Sequence, residues 1–69
     1  MLLETWTVHG FGMRRSLVVV GIDRNRRVIG SRTLHPNRVI GFRGARYVLE
    51  MPVGTIPPPV GVAVRIEDV

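Results

Sequence analysis

The chain contains no cysteine and no lysine. Without cysteine, neither a disulfide nor a thiolate metal site can form, and the redox compartment stays open. The longest uninterrupted apolar run covers residues 17–20, far short of the ~20 residues that a membrane-spanning helix needs. The start at Met1 lacks a basic segment followed by a hydrophobic stretch, which argues against a cleaved secretory signal. We therefore expect no membrane association and a cytoplasmic or virion location.

Side chains that carry chemistry are scarce. Histidine and serine occur only twice each, as His9, His35, Ser16 and Ser31. Neither serine lies in a nucleophile motif, and no carboxylate stands at metal-ligand spacing from a histidine. Glu67 and Asp68 are adjacent, so on a strand they point to opposite faces and make poor acid–base partners. The sequence therefore predicts no enzyme, no cofactor, no bound metal and no small-molecule substrate.

The apolar content is high for so short a chain. Its 69 residues, predicted to form one small β domain over 1–69, are 45% apolar with a mean hydropathy of +0.19. A chain of this size buries only about 60% of the surface that its unfolded form exposes. Some apolar side chains should therefore remain on the surface, which favours a homo-oligomer or a place in a larger protein assembly.

Positive charge is concentrated in the middle of the chain. Nine of the ten arginines lie within residues 14–46, against a single acidic residue, Asp23. The chain-wide absence of lysine fits a GC-rich genome, because arginine codons are GC-rich and lysine codons are not. The segregation of charge bears on partners. It predicts a basic contact surface, or else solvated turn residues that protect strand edges. The candidate contact residues are Arg14, Arg15, Arg24, Arg26, Arg27, Arg38, Arg43 and Arg46.

The periodicity is that of β-strands. Strands are predicted at residues 2–8, 16–23, 27–34, 38–42, 45–51 and 60–66, separated by turn signals. Segment 16–23 is apolar on both faces, which is typical of a central strand covered on both sides. In segment 60–66, Val60, Val62, Val64 and Ile66 are expected to point inward. The predicted fold is all-β, a small barrel or sandwich of five to six short, mostly antiparallel strands.

A proline-rich loop at 52–59 is the second candidate interaction element. Its apolar side chains stand among three consecutive prolines, which form locally stiff polyproline II. Such a loop loses little entropy on docking against a neighbouring subunit. Alternatively, it folds back to close one end of the barrel. The candidate contact residues are Val53, Ile56, Pro57, Pro58 and Pro59.

Two function classes follow from these features. The first is a non-catalytic structural protein that oligomerises or docks in a larger particle, for which a bacteriophage virion is a natural setting. The alternative is a nucleic-acid-binding barrel, with arginines on phosphates and Phe11 or Phe42 on bases. Most aromatic side chains of so small a domain should lie in the core, and Phe11, between two glycines, is the best candidate for an exposed ring. An inhibitor that docks on an acidic site of a host enzyme shares the same electrostatics.

Overall fold

The computed structural model describes residues 1–66 and shows an all-β protein of two sheets. All strand pairs are antiparallel, as predicted, and the sheets form a sandwich-like arrangement, not a closed barrel. None of the described residues forms a helix that could cross a membrane. The strands are β1 (Leu2–Leu3), β2 (Thr7–His9), β3 (Leu17–Ile22), β4 (Val28–Leu34), β5 (Val39–Gly41) and β6 (Tyr47–Pro52).

Strand β3 lies at the centre of the larger sheet, whose order is β1-β6-β3-β4. At one end of β3, Leu17 pairs with Leu34 of β4 and Pro52 of β6. At the other end, Ile22 pairs with Val28 and Tyr47. The smaller sheet contains β2 and β5 only. This register decides which loops share an end of the molecule.

Both faces of β3 are covered, as its doubly apolar sequence predicts. On one face, Val19 belongs to a cluster that joins the two sheets. On the other face, Val18, Val20 and Ile22 pack with Val28 at the start of β4. Because side chains alternate along a strand, two apolar layers on one strand require cover on both sides. The cluster that joins the sheets contains Val8, Val19, Leu34, Ile40, Phe42 and Val48.

Phe42 connects the sheets by packing onto glycine backbone. A Cβ atom placed on Gly21 would lie 2.6 Å from Cγ of Phe42, whereas one placed on Gly30 would lie 3.6 Å from the nearest ring atom. Glycine in a strand often marks such a close approach. The ring of Phe42 is 8% exposed. It is therefore part of the core and does not present a face to a nucleic-acid base.

The predicted first strand is split in two. Residues 4–6 form a bend between β1 and β2. The Oγ1 atom of Thr5 accepts a hydrogen bond from the N–H of Thr7 at 3.2 Å and donates one to the Thr7 carbonyl at 3.1 Å. Such local side-chain bonds compete with the sheet ladder. As a result, β1 joins the larger sheet and β2 joins the smaller one.

The predicted strand at 60–66 is wrong. A single bridge joins Arg27 to Ala63, and Val60 and Val62 are 69% and 42% exposed instead of pointing inward. Val64 and Ile66 are half-buried, and Val64 packs against the cluster of Val18, Val20, Ile22 and Val28. The chain turns here, because Gly61 adopts a φ of 90° and the N–H of Val62 bonds back to the carbonyl of Pro59. Residues 67–69, including the Glu67–Asp68 pair, lie outside the described part of the chain.

The β3–β4 hairpin is held by Asp23. Its Oδ1 atom accepts hydrogen bonds from the backbone N–H of Asn25 at 2.9 Å and of Arg27 at 3.0 Å. Arg26 adopts the left-handed conformation in this turn, with a φ of 64°. An aspartate that accepts bonds from the next residues is a common turn-forming device.

Replacing Asp23 with alanine should lower the free energy of unfolding by about 1 kcal/mol, because two backbone donors lose their acceptor. Asp23→Asn, which keeps an acceptor oxygen, should lose less. Urea denaturation followed by circular dichroism measures both changes. Equal losses for the two variants would contradict this role of the carboxylate.

Candidate functional site

Five arginines lie at one end of the larger sheet. The β3–β4 hairpin carries three of them, and the connection between β5 and β6 carries two. These connections meet because Ile22 pairs with both Val28 and Tyr47, and the N–H of Arg46 bonds to the carbonyl of Ile22 at 2.8 Å. We call this group the basic pole. Its members are Arg24, Arg26, Arg27, Arg43 and Arg46.

The other three candidate arginines lie at the opposite end. Arg14 and Arg15 come just before Leu17, where β3 begins. Arg38 follows the end of β4, and its carbonyl accepts a hydrogen bond from the N–H of Gly10 at 2.8 Å. The eight candidate contact residues therefore divide into two groups, although all eight are exposed.

Within residues 1–66, carboxylates neutralise little of the basic pole. Among these residues only Arg46 has a carboxylate partner at the pole, with its Nη2 atom 2.9 Å from Oε1 of Glu4. This pair is exposed, and such pairs contribute little to stability. One carboxylate oxygen of Asp23 accepts the two backbone hydrogen bonds of the hairpin turn. Within residues 1–66, no carboxylate pairs with Arg24, Arg26 or Arg43.

Two members of the basic pole are held in place by neighbours. The Cζ atom of Arg46 lies 5.9 Å from the centre of the Tyr47 ring, within range of a cation–π interaction. A hydrogen bond with the Tyr47 side chain, and then the charge of the Glu4 carboxylate, raise the pKa of Arg46. Arg27 donates from Nη1 to the carbonyl of Gly61 at 2.9 Å. Within residues 1–66, the guanidinium groups of Arg24, Arg26 and Arg43 are therefore the most available of the basic pole for contact with a partner.

Trp6 lies beside the basic pole, whereas the sequence predicted Phe11 or Phe42 as the aromatic side chain that accompanies the arginines. Its side chain is 59% exposed, although the even positions of residues 2–8 form a mostly apolar face. Its carbonyl accepts a hydrogen bond from the N–H of Phe42 at 2.8 Å. Its Cζ3 atom lies 3.1 Å from the position of a Cβ on Gly41, two residues before Arg43. Because the chain bends at residues 4–6, the side chain of Trp6 lies on the surface and not in the core.

Phe11 is exposed, as expected, but it lies at the opposite end. Its side chain is 62% exposed, and its ring stacks on that of His9 with a centroid distance of 4.8 Å. His9 pairs with Val39 of β5, next to Arg38. Phe11 therefore lies at the same end as Arg14, Arg15 and Arg38, and one face of its ring is covered by His9.

The proline-rich loop lies at the surface, as predicted. Ile56 is 90% exposed and Val53 is 60% exposed, whereas Pro57 and Pro58 are half-buried and Pro59 is exposed. The loop leaves β6 at Pro52, opposite Leu17, and reaches the other end of the sheet where the N–H of Gly61 bonds to the carbonyl of Val28. It therefore runs the length of the sheet and does not close one end.

Chemistry-bearing groups are sparse within residues 1–66. No three histidine, aspartate or glutamate side chains come together in a way that could hold a metal ion. The Oγ atom of Ser16 lies 3.0 Å from Nδ1 of His35, an exposed pair that sequence spacing did not reveal. In the described part of the chain, no third group hydrogen bonds to His35 to orient it as a base.

One open cavity of ≈ 270 Å³ lies between β2 and the β1–β6 edge. This volume is small for a ligand site, since such sites usually measure about 300–1,000 Å³. Its walls are formed by Leu3, Thr7, Val8, His9 and Glu50.

Comparison with known proteins gives one partial match. No protein-family model and no solved structure matches the chain. A UPF0127 protein of Pyrococcus abyssi (strain GE5 / Orsay) is 41% identical over 49 residues. The match covers 70% of this chain and 42% of that protein, so this chain spans less than half of its relative's length. The relative's name states no substrate, ligand or partner.

Proposed function

We propose that this chain is a non-catalytic assembly subunit that binds copies of itself through its proline-rich loop and the residues that follow it up to Val62. The observation that carries the proposal is the exposure of four large apolar side chains between β6 and the end of the described chain. Burying one such side chain contributes about 1.5–3 kcal/mol. The exposed residues are Val53, Ile56, Val60 and Val62.

A second copy suits this surface because the segment carries no charge. Residues 51–64 contain no acidic or basic side chain. Two copies that meet through these side chains therefore bury no charge of the segment itself, and the nearby guanidinium of Arg27 is bonded to the carbonyl of Gly61. The neighbouring prolines restrict the loop before it binds, which lowers the entropy cost of association. The sequence analysis predicts a bacteriophage virion as the larger particle for such a subunit, and this setting stays a prediction.

The experiment compares two valines of equal exposure. Val53 on the loop is 60% exposed and Val39 on β5 is 61% exposed. We expect Val53→Ser to weaken self-association by about tenfold, from the loss of ~1.5 kcal/mol of apolar burial. Val39→Ser should leave it unchanged. Light scattering and sedimentation over a wide concentration range give the dissociation constants.

Two outcomes would contradict the proposal. The first is a wild-type protein that remains monomeric throughout the concentration range. The second is an equal loss of self-association in both variants, because it would show that general surface hydrophobicity, and not the loop, drives assembly.

A further inference from the structure

We propose that the basic pole and Trp6 together form a binding site for single-stranded nucleic acid. The basic pole adjoins the end of the segment that follows the proline-rich loop, where Arg27 donates to the carbonyl of Gly61, but the inference does not depend on self-assembly. Arginines of the pole would bind phosphates, and the exposed indole would stack on a base.

The arginines supply the phosphate contacts. Arg24 and Arg26 belong to one connection and Arg43 to another, and the pairing of Ile22 brings those connections to one end of the sheet. All three are exposed, and none has a carboxylate partner within residues 1–66. Guanidinium groups present planar, forked donors that match phosphate oxygens.

Trp6 supplies the stacking surface. It is the only tryptophan, and its side chain is 59% exposed even though large aromatics contribute more when buried. Two contacts tie it to the pole. Its carbonyl binds the N–H of Phe42, next to Arg43, and Glu4, two residues earlier, binds Arg46. Base stacking on an aromatic ring tolerates any sequence, because every base has a π-face.

This combination favours a single strand over other polyanions. Stacking on an exposed indole requires an unstacked base, which a single strand offers and a regular duplex does not. An acidic protein surface would use the arginines but would have no need of the indole. Dependence of binding on Trp6 is therefore the property that separates these partners.

The probe is a labelled oligothymidylate, with binding followed by fluorescence anisotropy at several salt concentrations. We expect wild-type affinity to fall steeply with salt. Trp6→Ala should weaken binding by about 5- to 100-fold, and Trp6→Phe should retain most of it. Arg43→Gln should lower the slope of log affinity against log salt by about 0.7. Binding should also change the intrinsic fluorescence of Trp6 in the wild type.

The opposite end of the molecule provides matched controls. Phe11 is 62% exposed and Arg14 is exposed, so Phe11→Ala and Arg14→Gln remove a comparable ring and charge. Both variants should bind oligothymidylate like the wild type. Circular dichroism melts of every variant establish that the fold is retained.

Three results would overturn the proposal. One is the absence of binding at low salt by the folded wild type. Another is a loss on Phe11→Ala as large as that on Trp6→Ala. The third is tighter binding to polyglutamate than to oligothymidylate with no effect of Trp6→Ala, which would assign the pole to an acidic protein. A failure of self-assembly would show in light scattering and would leave this measurement unaffected.

Discussion

Replacing Gly21 with alanine is expected to lower the free energy of unfolding by about 3 kcal/mol, the upper part of the range for overpacking a core. The new Cβ would lie 2.6–2.8 Å from Cγ, Cδ1 and Cβ of Phe42. Two of these atoms are at the base of a buried side chain, so the ring cannot simply swing away. A domain of this size has only about 3–10 kcal/mol of stability, so a large share of it would be lost.

Gly30→Ala is the matched control. Gly30 pairs with Gly21 in the register of β3 and β4, but a Cβ there would meet the Phe42 ring at an ordinary contact distance of 3.6 Å. We expect a change of less than about 1 kcal/mol, since alanine also restricts the unfolded chain. Chemical denaturation measures both variants. A Gly21→Ala protein as stable as the wild type would show that the sheets do not meet at this glycine.

Truncating either face of β3 should also destabilise the protein. Val19 and Val20 are adjacent, are fully buried and point to opposite faces. Val19→Ala and Val20→Ala should each cost about 2 kcal/mol, from lost apolar burial together with the cavity left behind. The measurement is urea denaturation of each variant and of the wild type.

Val39→Ala serves as the control for these truncations. Val39 is 61% exposed on β5, so its loss should change stability by less than about 0.5 kcal/mol. If only Val19→Ala were destabilising, the second apolar layer would not be packed as the structure shows. If Val39→Ala cost as much as the core variants, burial would not explain any of the losses.

The central strand could be predicted because its signal is local. Five apolar side chains within residues 17–22 require cover on both faces wherever the strand lies. The β3–β4 hairpin was equally accessible, since its turn residues and both strands are contiguous in sequence. The strand that pairs with the other edge of β3 could not be predicted in this way. Strand β6 begins 25 residues after Ile22, and alternation within a strand says nothing about which edge it joins.

Trp6 shows how a local pattern fails. Alternation over residues 2–8 places it with Leu2 and Val8, but Val8 is 6% exposed and Trp6 is 59% exposed. The difference arises from the bend at Thr5, where side-chain hydrogen bonds replace ladder bonds. Threonines two residues apart are the only signal of this bend, and they also fit a regular strand. The stacking candidate could therefore not be located from the sequence.

The sequence by itself determined that this protein is all-β, that its middle segment is basic and that its proline-rich loop lies at the surface. These properties follow from composition, side-chain periodicity and the backbone limits of proline, all of which act over a few residues. Only the tertiary structure decided how the arginines are grouped. Strand register is fixed by packing between distant segments, and it groups five candidate arginines at the end of the sheet near Trp6 and the other three at the far end.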